Sequence, residues 1–510
     1  MKFLSLTILV FSPVIAALII GGPWFPNHEV KIRRFAKGFA GLLFIYSLLF
    51  LAFYNPAVKG YQFAETLKFP NGQGWIEPLG INFALGVDGL SVILVALTTF
   101  LVLLACIASK SSITKKHKLY YSMIFLLTTA ILGVFTSKDL FLFFLFWEFE
   151  LIPMYFLIAI WGTGRKEYSA IKFVLYTFWG SIFMLAAILA VYIYHYMQTG
   201  ILTFDLDILT AQKSYNYPFL LEILAFLGFF VAFAVKLPIV PLHTWLPDAH
   251  VDAPTPVSML LAGILLKMGG YGLIRMNLQI LPEAMKYLAP LLVILGIINI
   301  IYTALIALVQ QDLKKLVAYS SVSHMGIVLV GLGALNTAGI SGAVFQMVAH
   351  GVISAGLFMI VGVIYLRTHT RDISKLGGLG QVVPKIFYFS MVIALAGLGL
   401  PLLIGFSAEA LTFYGAFTSK FFANSIINSF SIQSLTVIAV FGIVLAAAYL
   451  LWMLQRVFFG TMFEKWKNIQ DITPHEVVVL VSLVLVIIVF GIYPGGLTSI
   501  FVPTVSTFIH

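Results

Sequence analysis

The chain has 510 residues, of which 61% are hydrophobic and 10% charged, and its mean hydropathy is +1.03. These values exclude an ordinary soluble domain and define a polytopic membrane protein. The net charge of +10 arises from an uneven distribution of loop cations, so it gives no support to nucleic-acid binding. Cys106 is the single cysteine, which excludes an internal disulfide, a Cys-ligated iron–sulfur cluster and a Cys-rich zinc site in this chain.

A membrane span needs about 20 largely apolar residues. In chain order the sequence predicts fourteen, near 4–22, 38–54, 85–109, 118–136, 138–161, 168–197, 217–240, 254–275, 286–308, 315–335, 340–366, 384–416, 434–459 and 475–498. The expected fold is therefore an all-α bundle of about fourteen transmembrane helices. The first span follows Lys2 and imitates a signal peptide, but no clear small-residue cleavage site follows it, so it is kept as a helix. Loops after odd-numbered spans carry nineteen Lys and Arg, those on the other side eight, and Lys172, Lys236 and Lys267 fall within spans. The positive-inside rule then puts the odd loops in the cytoplasm and both termini on the far side.

Four ionisable residues lie inside otherwise apolar stretches: Glu148, Lys236, Lys267 and Glu409. An unpaired charge there costs several kcal/mol or changes its protonation state, so such residues mark proton or ion paths; helix–helix glue and snorkelling are the competing reading. None of the four lies at the end of its predicted span. Glu148 and Glu150 flank Phe149 and point about 200° apart on a helix. Glu148, beside Phe146 and Trp147, is expected to be the buried one, with the role of Glu150 left open between structure and function. Lys236 precedes Pro238 and Pro241, which must break the helix and can admit water beside the ammonium. Movement of a partner such as Glu148 relative to Lys236 would switch the proton affinity of the lysine. Lys267 sits among Gly263, Gly269, Gly270 and Gly272, a small-residue segment that permits close helix approach. His243 and His250 flank Trp245 and Asp248, where a hydrogen-bonded loop is expected rather than a metal site. No phosphate-binding loop, dinucleotide fingerprint or metal-ligand spacing is present.

Offsets recur in the second half: Glu148 to Lys236 is 88 residues and His324 to Glu409 is 85. They suggest two inverted five-helix repeats, spans four to eight and nine to thirteen, with a second break at Gly397–Pro401 ahead of Glu409. His324 and His350 suit a proton wire between Lys267 and Glu409. The position matching Lys267 falls near Phe441–Ile443, where nothing ionises. The expected units are helices 1–3 (1–117), the first repeat (118–275), the second repeat (286–460) and a C-terminal helix (461–510).

At these residues the chain resembles the antiporter-like subunit M, or chain 4, family of proton-pumping type I NAD(P)H:quinone oxidoreductases. The resemblance covers spans three to thirteen and is carried by Trp147-Glu148-Phe149-Glu150-Leu151-Ile152-Pro153, by the run from Pro241 to His250, and by Leu265-Leu266-Lys267-Met268-Gly269. It looks most like the cyanobacterial and plastid branch, which implies a thylakoid membrane with lumenal termini and electrons from ferredoxin to plastoquinone. It implies fourteen helices with the seventh and twelfth broken, Glu148 and Lys236 as an ion pair controlling proton loading, Lys267 as central relay, His324 and His350 between, and Glu409 nearest the exit. It further implies no cofactor in this chain, with quinone, iron–sulfur clusters and electron donor held by partner subunits of the hydrophilic arm and the other membrane-arm antiporter-like chains. The chain departs from the family where Pro401-Leu402-Leu403-Ile404-Gly405 replaces the usual Pro-Gly-Met-Ser-Gly. That departure points to a diverged paralogue such as the CO2-uptake form with its CO2-hydration subunit. A cation/proton antiporter subunit and a non-translocating scaffold are the competing functions.

Overall fold

The computed structural model describes residues 4–67, 74–211, 217–420 and 431–509. Lys2, Lys68 and Lys213, counted for orientation above, lie outside them. In chain order the helices are α1 Leu6–Gly21, α2 Glu29–Phe53, α3 Gly89–Ser112, α4 His117–Thr136, α5 Leu140–Phe149, α6 Leu151–Trp161, α7 Lys166–Thr199 and α8 Leu206–Ala211. Then come α9 Phe219–Lys236, α10 Trp245–Asp252, α11 Thr255–Leu260, α12 Leu266–Gly272, α13 Pro282–Val309, α14 Leu313–Gly333 and α15 Thr337–Thr368. The last are α16 Pro384–Gly397, α17 Ile404–Thr418, α18 Ile432–Phe458, α19 Pro474–Ile492 and α20 Gly495–Val505. Among the described residues twelve helical stretches are long and apolar enough to cross a membrane, with α5 and α6 forming one and Thr255–Leu278 another; α1, α16 and α20 are shorter apolar helices.

A central column of α3, α11–α12, α14 and α15 is almost wholly buried, whereas α7 and α18 keep large apolar side chains such as Leu175, Phe178, Val437 and Phe441 exposed. An apolar exterior around a core that contains the polar residues is the pattern that lipid requires. The expected third span begins too early at residue 85: Ala84–Val87 forms strand β2, paired antiparallel with β1 Gln62–Thr66. Asp88 starts α3 instead, because its carboxylate accepts the amides of Leu90 and Ser91. The hairpin also holds the first helix: Glu65 accepts the Leu6 and Thr7 amides at 2.8 and 3.0 Å. Near the other end, Thr504 on α20 accepts the Gly89 amide at 3.1 Å, so both termini lie on this face. The fourteenth span is shorter than expected and α20 follows as a separate helix after Pro494.

One local arrangement occurs twice. Asp139 caps α5, and the chain there exchanges backbone bonds with the segment beyond α7: Leu140 N to Phe204 O at 2.9 Å and Leu206 N to Lys138 O at 2.8 Å. Asp312, 173 residues later, caps α14, and Leu313 N to Arg371 O and Ile373 N to Gln311 O, both 2.9 Å, repeat the pattern beyond α15.

The end of α15 is tied to α19 by Arg367, whose two terminal nitrogens donate to Glu476 at 3.2 and 2.6 Å, with Glu476 almost fully buried. Replacing Glu476 by Ala removes the charge partner of Arg367, which keeps the carbonyls of Val363, Gln470 and Asp471, and also removes the cap on Thr473; the expected cost is about 3 kcal/mol. Lys286→Ala, which breaks an exposed pair with Glu283, should change stability by no more than about 0.5 kcal/mol. Thermal unfolding of the detergent-solubilised protein checks the contrast.

Candidate functional site

Lys236 is the last residue of α9, a difference from the expectation that it lies within its span. Pro238 and Pro241 lack the amides that would continue the helix, and residues 237–244 run irregularly to α10. An irregular backbone at membrane depth survives only when its polar groups find partners. Asn299 of α13 supplies them, accepting the Val240 amide at 2.8 Å and donating to the Pro238 carbonyl at 3.2 Å. Trp245 Nε1 donates to the Val235 carbonyl at 2.9 Å, fastening the end of α9 to α10. On the opposite face from the termini, α10 is pinned to α7 by Lys172–Asp248 and Ser169–Asp252, both at 2.6 Å.

The break leaves the Lys236 ammonium in direct contact with Glu150, not Glu148. Both partners are buried, with side chains 1% and 0% exposed, and the rings of Trp147 and Phe173 lie 5.3 Å from the ammonium. The expectation that Glu148 is the buried partner is therefore corrected. It rested on the aromatic sequence neighbours of Glu148, but the face decides burial along a helix, and adjacent residues turn away from one another. Glu150 sits where α5 meets α6, ahead of Pro153, and faces α9. Glu148 is half-buried, and its Oε1 has no hydrogen-bond partner. With Glu150 as the partner, the acid-to-lysine offset becomes 86 residues, closer to the 85 from His324 to Glu409.

Lys267 lies on a span, Thr255–Leu278, that is buried throughout and π-wound at Leu261–Leu265 and Leu273–Leu278, a feature without a sequence signal here. The expected close approach is present: Gly269 packs on the backbone of Phe233 and Leu237, and Gly272 on the Phe233 ring. Lys267 Nζ contacts the Ala262 carbonyl and lies 2.7 Å from His350 Nδ1. An ammonium donates to that nitrogen only when His350 carries its own proton on Nε2, so the two groups share one hydrogen-bonding position. The rings of His350 and His324 have centroids 5.6 Å apart. His324 Nε2 is 3.0 Å from the carbonyl of Gly397, the final residue of α16.

There the second break begins, and Gly399 takes φ +78, a left-handed conformation natural to glycine. The buried carboxylate of Glu409, on α17, lies against Gly399 so closely that a Cβ would overlap it. The structure thus brings Lys267, His350 and His324 together into one polar file; Glu409 lies beyond the Gly397–Gly399 break with no side-chain hydrogen bond to His324 among the described residues, and Glu150 and Lys236 lie at the other side. Among the described residues no side-chain hydrogen bond joins Lys236 to Lys267; the packed backbone of Phe233–Leu237 and Gly269 lies there.

His250 departs from the expected hydrogen-bonded loop. It belongs to α10, is fully buried, stacks on Phe358 at 4.3 Å, and neither ring nitrogen has a partner. Among the described residues no cluster of His, Cys, Asp and Glu could hold a metal ion, and Cys106 is buried and free.

Two family models match the chain: NADH:quinone oxidoreductase/Mrp antiporter, TM, over residues 137–436, and NADH-ubiquinone oxidoreductase chain 4, amino terminus, over 42–137. A NAD(P)H-quinone oxidoreductase chain 4 of Thermosynechococcus vestitus is 44% identical over 504 residues, spanning 98% of this chain and 90% of that one. The chloroplastic chain 4 of Chlorokybus atmophyticus is 44% identical over 503 residues, spanning 97% and 94%. A chain in the structure of respiratory complex I from Thermus thermophilus with bound NADH superposes with a TM-score of 0.85 at 28% identity, covering 99% of each chain.

The first break makes its own test. Asn299→Leu removes both partners of the irregular segment, an expected penalty of about 1–3 kcal/mol for each stranded group. Amide hydrogen exchange at Val240 should accelerate while exchange in the middle of α15 is unchanged.

Proposed function

From the premise that this chain belongs to the NADH:quinone oxidoreductase/Mrp antiporter family, on its chain 4 branch, we propose that it moves protons along the polar file at membrane depth. It does so as a membrane-arm subunit of a NAD(P)H- or ferredoxin-driven quinone oxidoreductase. The observation that carries this is the buried Lys236–Glu150 pair at a broken helix, with Lys267, His350 and His324 in contact beyond it and the buried Glu409 against the second break. Separating the buried pair would leave both charges in low dielectric, which favours passing the proton onward. Glu148, half-buried two residues away, is the carboxylate through which Glu150 and Lys236 reload.

To pass from Lys236 to Lys267 the proton needs water to enter at the first break during turnover, because the backbone of Phe233–Leu237 and Gly269 is packed between them. The contact between Lys267 and His350 then carries it to the second half. His324 passes it toward the break before Glu409, the last carboxylate. The apolar run Leu402–Ile404 narrows that exit relative to the usual family motif. Electron transfer, with its donor, iron–sulfur clusters and quinone, takes place in partner chains.

The finer assignments belong to the same reading. The lysine and arginine asymmetry supports cytoplasmic odd loops and lumenal termini. The cyanobacterial and chloroplast relatives support a thylakoid location. The recurring Asp139 and Asp312 arrangements support two inverted repeats, and α1 with the α16–α17 pair would bring the passes to fourteen. A CO2-hydration partner is the finer possibility raised by the altered second break.

The test uses the intact complex in sealed vesicles without Na+, measuring proton uptake and quinone reduction together. Lys236→Met, Glu150→Gln and Glu148→Gln should each lower protons moved per quinone reduced by the share this subunit carries, with the complex still assembled. Unaltered uptake in Lys236→Met would make the chain a scaffold, and strict dependence on Na+ would make it a cation antiporter subunit.

A further inference from the structure

The polar file does not use a second set of buried groups on the face that carries both termini. A cavity of about 690 Å³ opens there, bordered by Tyr61, Asp207, Glu222, Glu283, Lys286 and Phe508. Its floor is an ion pair: Arg275 Nη2 donates to Asp88 Oδ2 at 2.6 Å, with both side chains buried. Arg275, the last residue of the predicted span 254–275, lies inside the buried π-wound end of the Lys267 span. Eight residues separate it from Lys267, about 12 Å along the helix, with Tyr271 midway and on the same face. The Tyr271 hydroxyl is 3.2 Å from Ser91 Oγ, which accepts from Arg275 Nη2 at 3.1 Å. Hydrogen-bonding groups therefore extend from Tyr271, one helical turn beyond Lys267, to the cavity, and the single gap lies between Tyr271 and the Lys267 ammonium, which is turned toward Ala262 and His350.

What interrupts that course is charge. A guanidinium accepts no proton and does not deprotonate, and this one is held between the rings of Tyr61, Tyr271 and Phe508, at 5.3, 5.0 and 5.6 Å. Asp88 cannot carry protons freely either, because its other oxygen accepts the Leu90 and Ser91 amides at the start of α3. A fixed cation in a narrow polar passage repels protons and cations. We propose that the Arg275–Asp88 pair is a proton barrier that closes a short route from Lys267 to this cavity and so commits protons to the second half of the file. The inference rests on the proton-moving function proposed above, in which Lys267 is a relay.

The test needs no turnover and is therefore separate from the pumping assay: the assembled complex in liposomes, an imposed pH gradient, no electron donor, and a trapped pH-sensitive dye. Arg275→Gln should raise passive proton conductance several-fold, Arg275→Lys should remain nearly as tight as the unaltered complex, and Lys267→Met added to Arg275→Gln should abolish the leak. Asp88→Asn, which frees the guanidinium from its anchor, serves if Arg275→Gln does not assemble and should leak likewise. Tight vesicles with an assembled variant would overturn the proposal. So would a leak that persists without Lys267.

Discussion

A charge held at membrane depth must have a partner, a hydrogen-bonding shell, or a way to lose its proton, and much of this molecule is arranged around that requirement. Lys236 meets it through Glu150 and two aromatic faces, at the one place where α9 stops. The broken backbone in turn needs Asn299, and α10 needs its ties to α7. Removing the lysine would leave no evident reason for so many polar groups to converge in an apolar bundle. Lys267 meets the same requirement differently, with a carbonyl and an imidazole in place of a carboxylate. One lysine is thus held by an opposite charge and the other by neutral groups.

The buried pairs do different work according to how tightly they are fixed. Glu150 retains a buried oxygen without a partner beside its contact with Lys236. Asp88 is committed through both oxygens and Arg275 cannot titrate, so that pair is suited to blocking rather than carrying. Arg367 and Glu476, at a helix end, hold two helices together. The three pairs thus differ in how far their carboxylate oxygens are committed: Glu150 keeps one free, while Asp88 and Glu476 are bonded at both.

Much of this was legible in the sequence because membrane helices announce themselves by length and apolarity, and ionisable residues inside them by contrast. Lys236, Lys267, His324, His350 and Glu409 were all found that way, and the prolines after Lys236 located the break. The choice between Glu148 and Glu150 was not legible. Two acids two residues apart differ only in the face they present, and an almost uniformly apolar helix has no polar stripe from which to read its rotation. Asn299 was missed because one amide in a span looks like packing until the carbonyl it serves is known. Arg275 was missed because a cation near a span end reads as interfacial, while π-winding and the aromatic rings around it exist only in three dimensions. His250 shows the reverse failure: a polar sequence context suggested hydrogen bonds that the fold does not supply.

The most direct test of a working Lys236–Glu150 pair is infrared difference spectroscopy of the intact complex during turnover. The expected result is a protonated-carboxyl band that rises and decays with quinone reduction, disappears in Glu150→Gln and shifts in Lys236→Met. A band insensitive to Glu150→Gln, or no carboxyl protonation in a complex that still pumps, would contradict the central role given to this pair.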